Sequence, residues 1–479
     1  MLRRHQREAI EQIRASVRGG MRKVVLAAPC SFGKTRVAME ILKATAQNGK
    51  TGRFICDRIK LIDQALAEFD AAGIPVGVMQ GDHWRANFRA PIQIASIQTL
   101  SRRMYQPPFD VAIVDECHTH YQHLTKLMAR NAIFIGLSAT PFTKGLGNHY
   151  DDVVVPITPR ELLAKKFLTP VKYYGGVHAD LTGVKSRRLS TGGKEFDPKS
   201  LGAATEDAKL VGDVVRNFQR LGRGQTIAFS PTIKTSRALV QMFNAAGISA
   251  EHIDGYMEAE EREIIYESHD AGDFQVLSCS QLLNTGYDAP KVQTLIDLKP
   301  TQSLIAFVQR AGRIMRTHPN KDYSVYLDHA GNIERHGFPE DIVPNTLDLG
   351  EKEFRERDLL KEKKEPELSV CPECYQHYVV RCVCGYQRPS REKIESDDQD
   401  LKEILRTEKR QWLGELQLIA KNKGYQSGWA AHAYRKKFNV WPRVQPAEVN
   451  EVSAEVLRYV KHLQIRRAKS AGRHFAKAV

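Results

Sequence analysis

Apolar positions along the chain fall into two successive α/β patterns. In the first, continuous apolar runs at 23–28, 53–56, 92–95, 111–115 and 132–137 are separated by amphipathic stretches such as 35–47 and 61–71. A strand covered by helices on both sides has no reason to alternate, so such runs predict a buried parallel sheet. The pattern pauses over 156–204, where polar and Gly-rich turns such as 190–194 predict a connector with irregular structure. It resumes with candidate strands at 225–229, 275–279, 292–298 and 323–327, and with helical periodicity at 206–221, 235–246 and 302–314. Two α/β halves predict two lobes with a cleft between them.

Past the second pattern the character of the chain changes. The segment EKEFRERDLLKEKKEPE reads as a solvated linker or an exposed helix. Four clustered cysteines and a basic tail follow. The expected boundaries are a first lobe at 1–155, the connector at 156–204, a second lobe at 205–345, a charged linker at 346–369, a cysteine-rich module at 370–390 and a basic helical region at 391–479. At 479 residues, 42% hydrophobic, the chain is too apolar to be wholly disordered. Its 71 Lys and Arg against 56 Asp and Glu leave a net charge of +15, which suggests a polyanionic partner, plain solubility being the simpler alternative. No apolar stretch nears the roughly 18 residues of a membrane helix, and MLRRHQREAI is followed by no signal-peptide core. The eight cysteines are few and unevenly spread, which fits a reducing, cytoplasmic setting.

The most informative segment is AAPCSFGKT at 27–35, which follows a strand and opens a helix. Backbone N–H groups at such a turn, with the helix dipole, favour a polyphosphate. Ala28, Pro29, Cys30, Ser31, Phe32 and Gly33 would form the cradle, Lys34 would reach the β and γ phosphates, and the Thr35 hydroxyl would hold Mg²⁺. Ala28 stands where such loops usually carry their first glycine, and an ordinary tight turn is the bland alternative. VAIVDECH at 111–118 puts two carboxylates at the end of a second buried strand. Asp115 would bind Mg²⁺, and Glu116 would activate the attacking water. Together the two motifs predict nucleotide hydrolysis.

Further motifs identify a resemblance. The chain is similar to the superfamily 2 helicases over about residues 2–330, with a DECH box at 115–118. That resemblance implies two RecA-like parallel-sheet lobes that bind ATP and Mg²⁺ between them. LRRHQREAI looks like the family's adenine-recognition segment, with Gln6 as base contact. Ser138, Ala139 and Thr140 look like the motif that couples hydrolysis to lobe movement. LNTGYDAP, with Gly286 and Asp288 toward the nucleotide, looks like the fifth motif, and QRAGRIMR the sixth. By that likeness Gln309, Arg313 and Arg316 face the γ-phosphate from the second lobe, while Arg310 is the less certain member. Arg58, Thr99, Ser230, Thr232 and Thr285 fall where the family contacts the nucleic-acid backbone, although a loop threonine is as readily a helix cap. Among subfamilies the chain resembles the bacterial RadD proteins, which implies a zinc module and DNA repair, recombination or replication work. GYQSGWAAHAYRKKFNVWP resembles phage-encoded helicases, which leaves a bacterial or phage setting open.

Cys371, Cys374, Cys382 and Cys384 form two close pairs that suit tetrahedral Zn²⁺, with His377 as a substitute ligand and two disulfides as the rival pairing. Cys30, Cys56, Cys117 and Cys279 sit singly on core elements. Residues 421–479 hold 13 Lys or Arg against three Asp or Glu. A helix is expected at 427–438 with Ser427 as its cap, Ala430, Tyr434 and Phe438 on a core face, and Arg435 and Lys436 as DNA phosphate contacts. Arg466, Arg467, Lys469 and Arg473 would extend that basic surface.

The function expected from all of this is an ATP-dependent DNA helicase or translocase, acting on single-stranded or branched DNA as a monomer or weak oligomer. Single-strand-binding or recombinase proteins would be further partners, and no membrane is expected. The rivals are an RNA helicase, the motor subunit of a restriction-type complex whose nuclease lies on a partner, and a non-catalytic zinc and DNA-binding adaptor.

Overall fold

The computed structural model describes residues 2–350 except 58, 82, 104–105, 120–121, 177–180, 182, 190–192, 206–207, 281–286, 288 and 345. It also describes 369–370, 377–378, and 401–463 except 404–405, 427, 439–441, 443–445, 454–455, 458 and 461–462. The first lobe is built on β1 (Lys23–Ala27), β2 (Gly52–Cys56), β3 (Gly77–Met79), β4 (Ile92–Ser96), β5 (Val111–Val114), β6 (Ile133–Ser138) and β7 (Asp152–Val154). These lie in the order β3-β4-β2-β5-β6-β1-β7, all parallel. Their apolar runs are continuous because both faces are buried. Val24 and Leu26 belong to one core and Val25 to the other, and Phe54 and Ile55 divide in the same way.

The second lobe repeats the plan. Its strands are β8 (Val171–Gly175), β11 (Thr226–Phe229), β12 (Ala250–Ile253), β13 (Val276–Cys279), β14 (Thr294–Asp297), β15 (Ser324–Asp328) and β18 (Lys402–Glu403). The order is β12-β13-β11-β14-β15-β8-β18, parallel except for the antiparallel β18. Two layered α/β units therefore sit in one chain, each lobe with a core on either face of its sheet.

The expected irregular connector carries regular elements among its described residues. It supplies β8 to the second sheet, and β9 (Ser186–Arg188) pairs antiparallel with β10 (Lys194–Phe196). VKYYG hides as a strand because its half-polar pattern lacks an apolar run, while Tyr173 is buried with its hydroxyl donating to Glu340 at 2.6 Å. A short antiparallel pair, β16 (Ser369–Val370) and β17 (His377–Tyr378), lies apart. Near the end of the chain, helices Arg406–Asn422 and Trp429–Phe438 and residues near Val456 share a separate core around Trp412, Leu416 and Tyr434. No helix among the described residues is long and apolar enough to cross a membrane.

The two lobes touch. Met315, from the second lobe, packs into a core of the first. Thr169 donates its N–H to the Met315 carbonyl and its hydroxyl to the Arg316 carbonyl, both at 2.9 Å.

Candidate active site at the lobe interface

Strand register brings the predicted groups to one rim of the first sheet. Ala27 on β1 pairs with Ser138 on β6, and Ala28 N donates to the Ser138 carbonyl at 2.9 Å. Beyond β5, Asp115 N donates to Ile55 O at 2.9 Å and Cys117 N to Leu137 O at 3.0 Å. The phosphate-loop candidate, the paired carboxylates and the coupling segment thus leave adjacent parallel strands at their carboxyl ends, where open α/β sheets bind ligands.

The loop turns sharply into its helix. Ser31 (φ 62°) and Gly33 (φ 85°) take the left-handed conformation, and helix Lys34–Gln47 starts directly after them. A Cβ on Gly33 would fall 2.4 Å from Gln6 Nε2, so the loop needs glycine here. Gln6 is buried, donates to Phe32 O at 2.8 Å and accepts from Arg3 N at 2.9 Å. It pins the loop to helix Arg4–Arg18, a holding role beside the base contact expected of it. Lys34 Nζ reaches Ala28 O at 3.5 Å.

Burial and the neighbouring Glu116 push the Asp115 carboxyl up, against the pull of Lys34. Burial alone would raise Glu116 too, but His118, Lys34 and Arg313 outweigh it and hold Glu116 ionised. Glu116 also sits at φ 46°, a conformation that strains a side-chain-bearing residue. Its Oε2 is buried and receives no well-aligned hydrogen bond: His118 Nδ1 lies 3.1 Å away but is directed at Ser138 Oγ, at 3.0 Å. Thr35 offers a hydroxyl and Asp115 a carboxylate, the chemistry that suits Mg²⁺ beside a triphosphate. Among the described residues no group of three or more His, Cys, Asp or Glu is arranged to hold a metal by itself.

His118 is the residue that sequence reasoning passed over. One ring nitrogen meets Ser138, and the other lies 3.4 Å from Gln309 Nε2 on the second lobe. Ser138 Oγ in turn accepts from Thr140 N at 2.9 Å. The carboxylate turn, the coupling segment and QRAGRIMR are therefore joined through one imidazole. Its only sequence signal is its place three residues after Asp115.

Helix Leu304–Ile314 carries QRAGRIMR to the seam. A Cβ on Gly312 would lie 2.6 Å from Cys30 Sγ, so a glycine here lets the helix reach the phosphate loop. Cys30 is half-buried at that contact rather than part of a lobe core. Ala139 lines the same seam, with Pro29, Val308 and Met315. Arg313 is buried, donates to Tyr287 O, and lies close enough to Glu116 to lower its proton affinity. Arg316 lies within electrostatic reach of Cys30, and burial lowers its own pKa. Arg310, in contrast, belongs to the scaffold: it is buried against Asp297 at 3.1 Å and donates to Lys299 O at 2.8 Å.

The proposed nucleic-acid contacts fare unevenly. Ser230 is a correction: its side chain is fully buried, with Oγ toward Ser278 at 3.5 Å, so it offers no surface to a strand. Thr232 is the cap of helix Ile233–Ala245, accepting from Thr235 N at 3.0 Å. Thr99 is partly exposed and accepts from Gly81 N at 3.2 Å. On helix Trp429–Phe438, Ala430 and Tyr434 are buried, Lys436 is exposed and Arg435 is partly so. Arg58, Thr285, Gly286, Asp288, Ser427, Cys371, Cys374, Cys382, Cys384 and the basic residues after 463 lie outside the described residues.

Comparison with known proteins finds a helicase-type domain in each lobe. Residues 1–143 match the family model described as type III restriction enzyme, res subunit, and 209–318 match the helicase conserved C-terminal domain. A 51.5 kDa protein of a Lactococcus phage is 25% identical over 413 residues, 83% of either chain. IRC3 of Saccharomyces cerevisiae, named as an ATP-dependent helicase only by inference, is 23% identical over 360 residues, 69% of this chain and 52% of its own. The ATP-dependent Type ISP restriction-modification enzyme LlaBIII, solved bound to DNA, shares the fold with a TM-score of 0.53 at 18% identity. That likeness covers 68% of this chain and 27% of LlaBIII.

Proposed function

The chain belongs to superfamily 2 of the helicases, and from that premise we propose that it is an ATP-driven motor on DNA. The observation that carries this reading is the hydrogen-bonded seam in which Glu116, His118 and Ser138 of the first lobe meet Gln309 and Arg313 of the second. A hydrolytic site split between two bodies makes hydrolysis report their closure.

In the Ala28–Gly33 loop the backbone N–H groups of Cys30, Ser31 and Gly33 cradle the triphosphate, and Lys34 adds a point charge. Thr35 and Asp115 would hold Mg²⁺, which neutralises charge on the phosphates when bound. Glu116, kept ionised by its cationic neighbours, orients and deprotonates the attacking water. Arg313 and Arg316 approach from the second lobe, as arginine fingers do where γ-phosphoryl charge spreads in the transition state. His118 senses the coupling segment and Gln309 together. Thr99, Arg58, Thr285 and the basic tail are the proposed DNA contacts, and Cys371, Cys374, Cys382 and Cys384 the proposed zinc ligands.

The preference for DNA over RNA is supported by a structural relative solved on DNA. The test compares ATP turnover with single-stranded DNA and with RNA of matched length. DNA-stimulated turnover is expected, lost in Lys34→Ala and in Glu116→Gln. Full activity in those variants would overturn the site assignment, and stimulation by RNA alone would move the chain to the RNA helicases. A restriction-type motor is the second reading, supported by the match at 1–143. It predicts that cleavage appears only when a nuclease-bearing partner is added.

A further inference from the structure

Trp84 and Phe88 are the exposed aromatic side chains of the first lobe among the described residues, at 84% and 46% exposure. They sit on the segment between β3 and β4, which is held by its own hydrogen bonds. Val78 N donates to Arg85 O at 3.0 Å, Ala86 N to His83 O at 3.0 Å, and Arg89 N to Asn87 Oδ1 at 3.1 Å. From beneath, the buried Gln93 donates to Asn87 O at 2.7 Å and to Ala90 O at 2.9 Å. A Cβ on Gly77 would fall 2.1 Å from Asn87 O, so glycine is what lets the segment lie on the strand. A tryptophan and a phenylalanine held in water on this hydrogen-bonded stretch make a candidate binding surface.

The surroundings say what binds. Arg103 lies 5.0 Å from the Phe88 ring and donates to Gly81 O at 2.8 Å. Arg85 lies 5.6 Å from the Trp84 ring and is paired with Asp70 at 2.6 Å. Arg89 and Arg102 are exposed. Residues 80–103 thus carry four arginines against one aspartate. Gly81 ties this segment to Thr99, one of the proposed backbone contacts. Gly81 and Arg102–Arg103 follow the carboxyl ends of β3 and β4, on the rim of the nucleotide site, while Arg85 and Asn87 lie back along β3 beside Val78 and Gly77, and β3 is five strands from β1. At the usual strand spacing that is roughly 24 Å. The patch is therefore outside the hydrolytic site and beside the proposed strand path.

We infer that Trp84 and Phe88 form a stacking platform for unpaired bases of a DNA strand, with Arg89, Arg102 and Arg103 taking its phosphates. This rests on the motor reading above. Aromatic rings accept any base face, and stacking is sequence-tolerant. The guanidinium groups favour a polyanion over an apolar protein partner, which the test addresses.

The experiment measures binding of the full chain, by fluorescence anisotropy, to a 30-mer of dT and to a 30-mer with the same phosphates and abasic central positions. Stacking on one aromatic ring is worth on the order of tenfold in affinity. Wild type is expected to prefer dT about tenfold. In Trp84→Ala the dT affinity falls about tenfold, abasic binding stays within twofold, and the preference disappears. Trp84→Phe keeps most of it, and thermal melting shows both variants folded. The platform is overturned if Trp84→Ala binds both oligonucleotides as wild type does, the outcome expected of a protein-docking patch, or if it loses both equally. A wild type that binds neither sinks the DNA-motor reading with it. A base preference that survives in Trp84→Ala sinks the platform alone.

Discussion

Each lobe places buried carboxylates at the ends of its central strands, and the two sets are built in opposite ways. At the ends of β14 and β15 in the second lobe, every oxygen of Asp297 and Asp328 is engaged from inside. Asp297 accepts from Arg310 at 3.1 Å, Tyr326 at 2.6 Å and Asn332 at 2.8 Å. Asp328 accepts from three backbone N–H groups between 2.7 and 3.1 Å. In the first lobe Glu116 stands on strained backbone with a buried Oε2 that no aligned donor meets, facing cations from both lobes. A saturated carboxylate holds a fold together. One left under-satisfied beside a phosphate loop is set up for chemistry. The same contrast separates Arg310, locked on Asp297, from Arg313, which faces Glu116.

The largest effect should come from the hydrolytic side of this contrast. Arg313→Ala is expected to lower the hydrolysis rate constant by about 10³–10⁵, the worth of an arginine finger, with little change in denaturant midpoint. A rate within tenfold of wild type would return Arg313 to the scaffold beside Arg310. On the structural side, Asp297→Ala strands Arg310 as a buried charge without its carboxylate. It should cost about 3–5 kcal/mol of stability in urea unfolding, with the activity of the molecules that remain folded unchanged. A normal midpoint in Asp297→Ala would break the contrast from the other end.

The chemistry was more legible in the sequence than the fold's margins. AAPCSFGKT and VAIVDECH are local, and the structure places them at the ends of β1 and β5, with β6 between the two. Strands of three residues escaped: GVM at β3 and DVV at β7 are too short to carry a periodicity, and their pairing is decided by distant neighbours. β8 was lost in the supposed connector because its lysine and tyrosines break the apolar run. Ser230 looked like a loop hydroxyl and is buried, and Gly312 looked like any helical glycine until Cys30 of the other lobe lay against it. Burial, and contact between lobes, are properties of the assembled chain.

The most direct measurement is a double-mutant cycle across the seam, in single-turnover ATP hydrolysis with saturating DNA, using Glu116→Gln, Arg313→Ala and the two combined. Groups that act as one unit lose their function once, so the double variant should be no more than about tenfold slower than the worse single variant. Losses that multiply in full would mean that the two lobes contribute independently, and that the hydrolytic site is not the shared one described here.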